Sequence, residues 1–270
     1  MTLPTEPVGD GNVLLSLSDG IAHIRLNRPD DANGMNNGLL RDLYQAIMIC
    51  HGSEDVRAVL LTGAGKNFCA GGDIKEFASK GERLPAHIRT ATALLQDAAQ
   101  ALMRLDAPVI AAIQGYATGG GGFGMACAVD LVVAAESAKF LAGATKVGMS
   151  PDAGTTATLP ALVGHRKAME ILLTNPTMTA AEARDLGIVN RVVPDADLLD
   201  AAMALATELA SGPPMAQAAV KRLLRQGKAL PVEACFTEEA RNVAELSGTA
   251  DAREGLASMI ERRPATFTGR

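Results

Sequence analysis

The chain has 270 residues, 48% of them hydrophobic, with a formal net charge of −5 and a pI near 5.4. That length and apolar fraction suffice for one globular core with a smaller appended element, and the acidic balance gives no general attraction to nucleic acid or anionic lipid, so neither is expected as a partner. Four cysteines at 50, 69, 127 and 235 and four histidines at 23, 51, 87 and 165 lack the spacing of a zinc site or a disulfide framework, which leaves free buried thiols and no metal as the expectation.

The opening "MTLPTEPVGDGN" has no basic start leading into an apolar run, and no apolar stretch approaches the roughly 20 residues of a membrane helix, so a cytoplasmic protein is expected. "NVLLSLSDGIAHIRLNRP" alternates apolar and polar residues on both sides of Asp19-Gly20, which predicts two strands and a tight hairpin turn. Helical spacing follows in "LLRDLYQAIMIC", then a buried strand in "VRAVLLTG", a longer helix in "AHIRTATALLQDAAQALMRL", and strands in "PVIAAIQG" and "DLVVAAE". Strand alternating with helix predicts an α/β fold with crossover-connected strands. Beyond "IVNRVVP" only helical periodicity recurs, which divides the chain into a core over 1–195 and a helical region over 196–270. Trp is absent and Tyr and Phe are few, so no aromatic platform for single-stranded nucleic acid is indicated.

Residues 115–130, "GYATGGGGFGMACAVD", pose the functional question, because four consecutive glycines cost backbone entropy and bring no reactive side chain. Residues 119–124 fit G-x-G-x-x-G, but only five residues separate Gly124 from the next strand. That is too few for the crossover helix of a dinucleotide fold. "GAGKNF" likewise lacks the spacing and the Ser or Thr of a phosphate-binding P-loop. Two readings stay open: a bend where elements pack closely, or backbone N–H groups exposed at a helix start. A second segment, "NFCAGGDIKEF" (67–77), also runs from a strand through glycines into a helix, with Asp73 and Glu76 spaced as a capping box. Two strand ends that each present glycine N–H groups are what a two-donor oxyanion hole requires.

"FCAGGDIKEF" and "GGGGFGMACAVD" together resemble the signature segments of the enoyl-CoA hydratase/isomerase (crotonase) superfamily. "NRPDDANGMN", "SAKFLAGATKVGMSPDAGTTATLPALVG", "AMEILLTNPTMTAAEARDLGIVNRVVP" and "ERRPATF" continue the resemblance in family order over nearly the whole chain. It implies a crotonase-like spiral of βαβ units with a helical C-terminal trimerisation region, assembly as a homotrimer or hexamer, and an acyl-CoA thioester substrate. Coenzyme A would enter as part of that substrate, with no separate cofactor. Carried over by position, the first oxyanion-hole donor falls on Gly72 and the acyl-CoA contacts on Ala32, Ala70, Gly72, Asp73, Ile74 and Lys75. The second donor falls on Gly121, with Gly120 as the alternative because "GYATGGGGFG" is one residue longer than the usual form.

The chain departs from the hydratases of that family at both acid positions, which hold Gly124 and Ala144. Neither side chain moves a proton, which argues against ordinary hydration. One acid remains in the pattern, Asp152 of "GMSPDAGTT", where isomerases of the family carry a proton-moving aspartate; without the resemblance it is read as a turn residue or the cap of the next helix. Asp130 and Glu136 flank a strand and are expected to face solvent. The expectation is therefore an enoyl-CoA isomerase with Asp152 as base and Gly72 and Gly121 as donors. The alternatives are a ring-opening isomerase of aromatic-derived CoA esters, a dehalogenase-like nucleophilic aspartate (disfavoured by the missing Trp), a hydratase with an altered site, or a non-catalytic acyl-CoA binder. Residues 76–92 are expected to form a loop that sets acyl specificity.

Overall fold

The computed structural model describes residues 6–270; the first five residues of the opening segment read above lie outside the described residues. Strands β1 (Glu6–Val8), β2 (Val13–Ser18) and β3 (Ile21–Leu26) form an antiparallel meander. Its β2–β3 turn places Asp19 at φ +52° and Gly20 at φ +78°, the two left-handed residues that match the twist of a tight hairpin. Helix α1 (Asn37–His51) starts where the Asn36 side chain accepts the Leu39 N–H at 2.8 Å, and it leads into β4 (Ala58–Gly63).

Helices α2 (Ile74–Ser79) and α3 (Leu84–Arg104) precede β5 (Val109–Ile113) and β6 (Tyr116–Thr118). The short α4 (Met125–Ala128) connects to β7 (Leu131–Ala135) and β8 (Lys139–Leu141). Beyond them come α5 (Thr155–Val163), α6 (His165–Thr174), β9 (Met178–Thr179), α7 (Ala180–Asp185) and β10 (Arg191–Val193). Four helices close the chain: α8 (Leu198–Ala210), α9 (Pro214–Gly227), α10 (Val232–Ser247) and α11 (Ala250–Glu261).

One sheet runs in the order β1-β2-β3-β4-β5-β7-β10, and every pairing from β3 onward is parallel. This is the expected α/β architecture of successive βαβ units. Every residue of β4 and β5 is buried, which explains why these strands read as unbroken apolar runs. Leu39, Leu43 and Ile47 of α1 and Ala98 and Leu102 of α3 pack on the core at helical spacing. Each fully buried Leu or Ile contributes roughly 1.5–3 kcal/mol. Leu198, Ala202, Leu205 and Ala206 bring α8 onto the same sheet.

A smaller sheet, β6-β8-β9, consists of strands of two or three residues, too short to leave a periodic signature. Residues 76–92 are not a loop: α2 ends at Ser79, one 3₁₀ turn spans Gly81–Arg83, and α3 begins at Leu84 with Pro85 in its first turn, where a missing N–H costs nothing. Among the described residues no helix is long and apolar enough to cross a membrane. Cys50, Cys69 and Cys127 are buried free thiols, pushed up to about 12 by burial.

Asp130 is exposed, as expected, yet it is not free. Its Oδ2 accepts the Val109 N–H at 2.8 Å and pairs with Lys221 Nζ of α9 at 2.5 Å, while Glu136 is exposed as expected. Lys221 also donates to the Ala107 carbonyl at 2.8 Å; burial lowers its pKa, and the Asp130 charge offsets only part of that shift. The pair therefore ties α9 to the loops that frame β5 and β7. Asp130→Ala should lower stability by about 1–2 kcal/mol, because it leaves the lysine charge with only the Ala107 carbonyl and no counter-charge. Chemical denaturation of Asp130→Ala beside an Asp130→Leu/Lys221→Met double variant checks this, since the double variant should recover much of the loss.

Candidate active site

The first glycine segment is clamped from below. Asn33 is fully buried and its Nδ2 donates to the carbonyls of Ala64, Asn67 and Phe68 at 2.9, 2.8 and 3.1 Å, fixing the chain as it leaves β4. Residues 69–73 then run between two neighbours. On one side the Met35 N–H donates to the Gly71 carbonyl at 2.8 Å and the Asp73 N–H to the Met35 carbonyl at 3.2 Å. On the other, the Cys69 N–H donates to the Tyr116 carbonyl at 3.1 Å and the Thr118 N–H to the Cys69 carbonyl at 2.9 Å. The Gly72 N–H donates to no acceptor among the described residues.

Asp73 caps α2, accepting the Glu76 N–H at 3.0 Å, and its other oxygen pairs with Arg28 at 3.2 Å. The predicted capping box is only half formed. The Asp73 N–H is taken by Met35, and Glu76 turns to Lys80 at 3.0 Å.

The second segment begins at Gly119, whose φ of +59° and ψ of −165° lie where only glycine is comfortable. The next five residues, Gly120–Gly124, form a π-helical turn that runs into α4. Such a turn accommodates one more residue than an α turn and recurs at functional sites, which explains how the extra glycine is absorbed. N–H groups in the first turn of a helix have no intrahelical acceptor, and Gly121 is buried against Met35 and Cys69, with room for no side chain.

The two segments meet on a cavity of about 710 Å³. Of the residues expected to form the site, Ala70, Gly72, Ile74, Gly120, Gly121 and Asp152 line it. Ala32, Asp73 and Lys75 do not: the Ala32 carbonyl accepts the Ala70 N–H at 3.0 Å, Asp73 is committed to Arg28 and α2, and Lys75 is exposed. The opposite wall, absent from the sequence reading, is the face of α3 carrying Ile88, Ala91, Thr92 and Leu95. Its helical spacing was visible, but the same spacing serves core packing. Phe77 is the one aromatic residue in the lining, and its ring fills the space over Gly72 that a Cβ would need.

Asp152 is the only acid in the lining, and Lys146 the only lysine or arginine. Its carboxyl caps no helix: Gly154 is the N-cap of α5, and the Thr155 N–H and Oγ1 go to the Asp152 carbonyl at 2.9 and 2.7 Å. Burial in the apolar cavity raises its pKa above the usual carboxylate range, and only its own N–H works in the other direction. At Gly124 a Cβ would stand 2.7 Å from Thr155 Oγ1 and 3.0 Å from Ala153 Cβ. The 152–155 turn thus fills the place of a side chain at 124, while Ala144 lines the cavity without any acid.

Comparison with known proteins adds a family to this geometry. Residues 16–270 match the profile of a family described as enoyl-CoA hydratase/isomerase. A Rhodobacter capsulatus protein named a probable enoyl-CoA hydratase is 39% identical over 254 residues, 94% of this chain and 96% of that protein. An Arthrobacter 4-chlorobenzoyl coenzyme A dehalogenase is 35% identical over 249 residues, 92% and 90% of the two chains. The crystal structure of an enoyl-CoA hydratase from Bacillus anthracis superposes with a TM-score of 0.90 at 33% identity, covering 96% of this chain and all of that one.

The buried carboxyl carries a stability cost with a definite sign. Folded Asp152 holds its proton to a higher pH than the unfolded chain does, so stability falls as pH rises from the ordinary aspartate range through the raised value. Asp152→Asn removes that penalty. It should raise the thermal midpoint by a few degrees at neutral pH, with the gain vanishing below the ordinary aspartate pKa, as paired melting curves across pH will show.

Proposed function

The chain belongs to the enoyl-CoA hydratase/isomerase family, and from that membership and the cavity just described we propose that it is an enoyl-CoA isomerase that shifts a double bond with one carboxyl base. The observation that carries this reading is the single acid in the lining, Asp152, together with Gly124 and Ala144 at the two places where the family's hydratases carry acids. Adding water across a double bond calls for activation of the water and delivery of a proton to carbon. Moving a double bond asks one group to lift a proton and return it elsewhere, which suits a lone base.

In this reading Asp152 takes a proton from carbon of an unsaturated acyl-CoA, the thioester oxygen gathers the enolate charge, and the N–H groups of Gly72 and Gly121 receive it. Each such donor is typically worth about 3 kcal/mol in the transition state, on the order of a hundredfold in rate. The raised pKa makes Asp152 a stronger base than a solvated aspartate. Ala70 and Ile74, at the rim of the same segment, support the coenzyme A portion, and no further cofactor enters the scheme.

A nucleophilic role for Asp152, attacking an aromatic acyl ring, is the second reading, favoured by the 35% identity to the 4-chlorobenzoyl coenzyme A dehalogenase. The lining argues against it, since Phe77 is its only aromatic residue and the chain has no Trp. Chloride release from 4-chlorobenzoyl-CoA would decide for that reading.

Self-association belongs to the same proposal. Leu224, Val232, Phe236, Val243, Leu256, Met259 and Ile260 of α9–α11 are all more than 60% exposed, more apolar surface than a solvated helix layer carries. A homotrimer or hexamer that covers these faces is expected; sedimentation equilibrium showing a monomer at micromolar concentration would contradict it.

The catalytic reading is tested with a panel of enoyl-CoA esters in deuterated water. Wild type should isomerise at least one of them and wash deuterium into the acyl carbons. Asp152→Asn should keep acyl-CoA affinity within a few-fold while turnover and exchange fall together by about 10²- to 10⁴-fold. Wild-type rates of exchange in Asp152→Asn would place the base elsewhere.

A further inference from the structure

Gly120 carries a constraint that neither turn geometry nor an N–H donor role accounts for. Its φ is not positive, so its backbone conformation is open to any residue. Yet a Cβ built on it would stand 1.7 Å from Asp152 Oδ1, 2.7 Å from Asp152 Cγ and 3.0 Å from Leu95 Cδ2. The carboxyl oxygen therefore rests on the Gly120 Cα, with a leucine methyl of α3 crowding the same point. No side chain, and no backbone N–H but its own, holds the Asp152 carboxyl among the described residues.

The geometry points to Gly120 as a positioning residue for Asp152: the absent side chain at 120 is the seat in which the carboxyl lies, and Leu95 is the wall that keeps it there. This rests on the reading of Asp152 as the base. It also gives separate parts to two adjacent glycines, of which the sequence favoured Gly121 as donor and kept Gly120 as the alternative. Gly121 presents an N–H, and Gly120 presents room. A methyl at 120 and the carboxyl oxygen cannot share one place. Position 120 is fixed by the π turn and Leu95 is buried, so the carboxyl is the group that yields. It moves away from the slot, regains water and leaves the line of the acyl carbons. Alanine keeps the N–H groups of both 120 and 121, so thioester binding is preserved.

Four proteins decide the matter: wild type, Gly120→Ala, Asp152→Ala and the double variant. With the seat as described, the strain of the displaced carboxyl outweighs the solvation it regains, so Gly120→Ala lowers the thermal midpoint by about 2 °C or more when Asp152 is present and by less than about 1 °C when residue 152 is alanine, which leaves the methyl room. If Gly120→Ala does not fold at all, folding of the double variant supports the seat, and failure of both overturns it. The second readout is deuterium exchange into a 3-enoyl-CoA as a function of pH. Gly120→Ala should lose about 10²-fold in kcat with KM within about threefold, and its acidic limb should move to lower pH because the displaced carboxyl is better solvated. A purely structural glycine would not move that limb. Equal falls of the midpoint in both backgrounds, or wild-type exchange with an unmoved limb in Gly120→Ala, overturn the proposal. If wild type exchanges no proton on any enoyl-CoA, the isomerase reading falls, and the midpoint comparison still decides the seat.

Discussion

The site depends on one close approach, the pressing of the backbone of residues 69–72 against that of 116–122. The two strands exchange hydrogen bonds between Cys69 and both Tyr116 and Thr118, and Thr118 Oγ1 adds a further bond to the Ala70 carbonyl. At that distance there is no space for side chains: a Cβ on Gly71 would stand 2.9 Å from the Thr118 carbonyl oxygen, and one on Gly122 would stand 2.3 Å from the Cys69 carbonyl oxygen. Glycine is required there for contact, and the contact brings Gly72 and Gly121 to one cavity. The entropic cost, roughly 0.5–1 kcal/mol for each glycine held in regular structure, is offset by the buried β4–β5 core on which both segments are mounted.

The second requirement is a carboxyl kept partly out of water. Helix α3 meets it with a divided face: Ala98 and Leu102 belong to the core, while Ile88, Thr92 and Leu95 continue the same stripe along the cavity wall. A helix that packs the core with one end and shields the carboxyl with the other makes the pocket apolar around a single ionisable group. That arrangement raises the carboxyl's pKa and costs stability at neutral pH.

The departure from the hydratase pattern at position 124 is tied to the path of the chain around Asp152. Thr155 and Ala153 stand where a side chain at 124 would project, and the same turn carries Asp152, held through its carbonyl by Thr155. A glutamate at 124 and the present path of residues 152–155 compete for the same volume. The glycine at 124 is thus a steric condition for the turn that places Asp152 against Gly120.

What the sequence by itself determined were the features written in neighbouring residues. The Asp19-Gly20 turn, the buried strands 58–63 and 109–113, the alternation into an α/β fold and the glycine segments all act over a few positions, where turn chemistry and periodicity suffice. Asp152 emerged from the family resemblance, because its own neighbourhood reads equally well as a turn. Tertiary structure alone decided what depends on residues distant along the chain. Asp130 is a tether only because α9 returns 91 positions later with Lys221. Asp73 completes half a capping box because Met35 takes its N–H, and the α3 stripe of Ile88, Thr92 and Leu95 faces a cavity rather than the core because of what packs opposite it. Gly120 and Gly121 are identical in sequence and differ only in what faces them, a carboxylate in one case and a methionine and a cysteine in the other. Local propensity cannot distinguish them, since the difference resides in the volume that other segments fill.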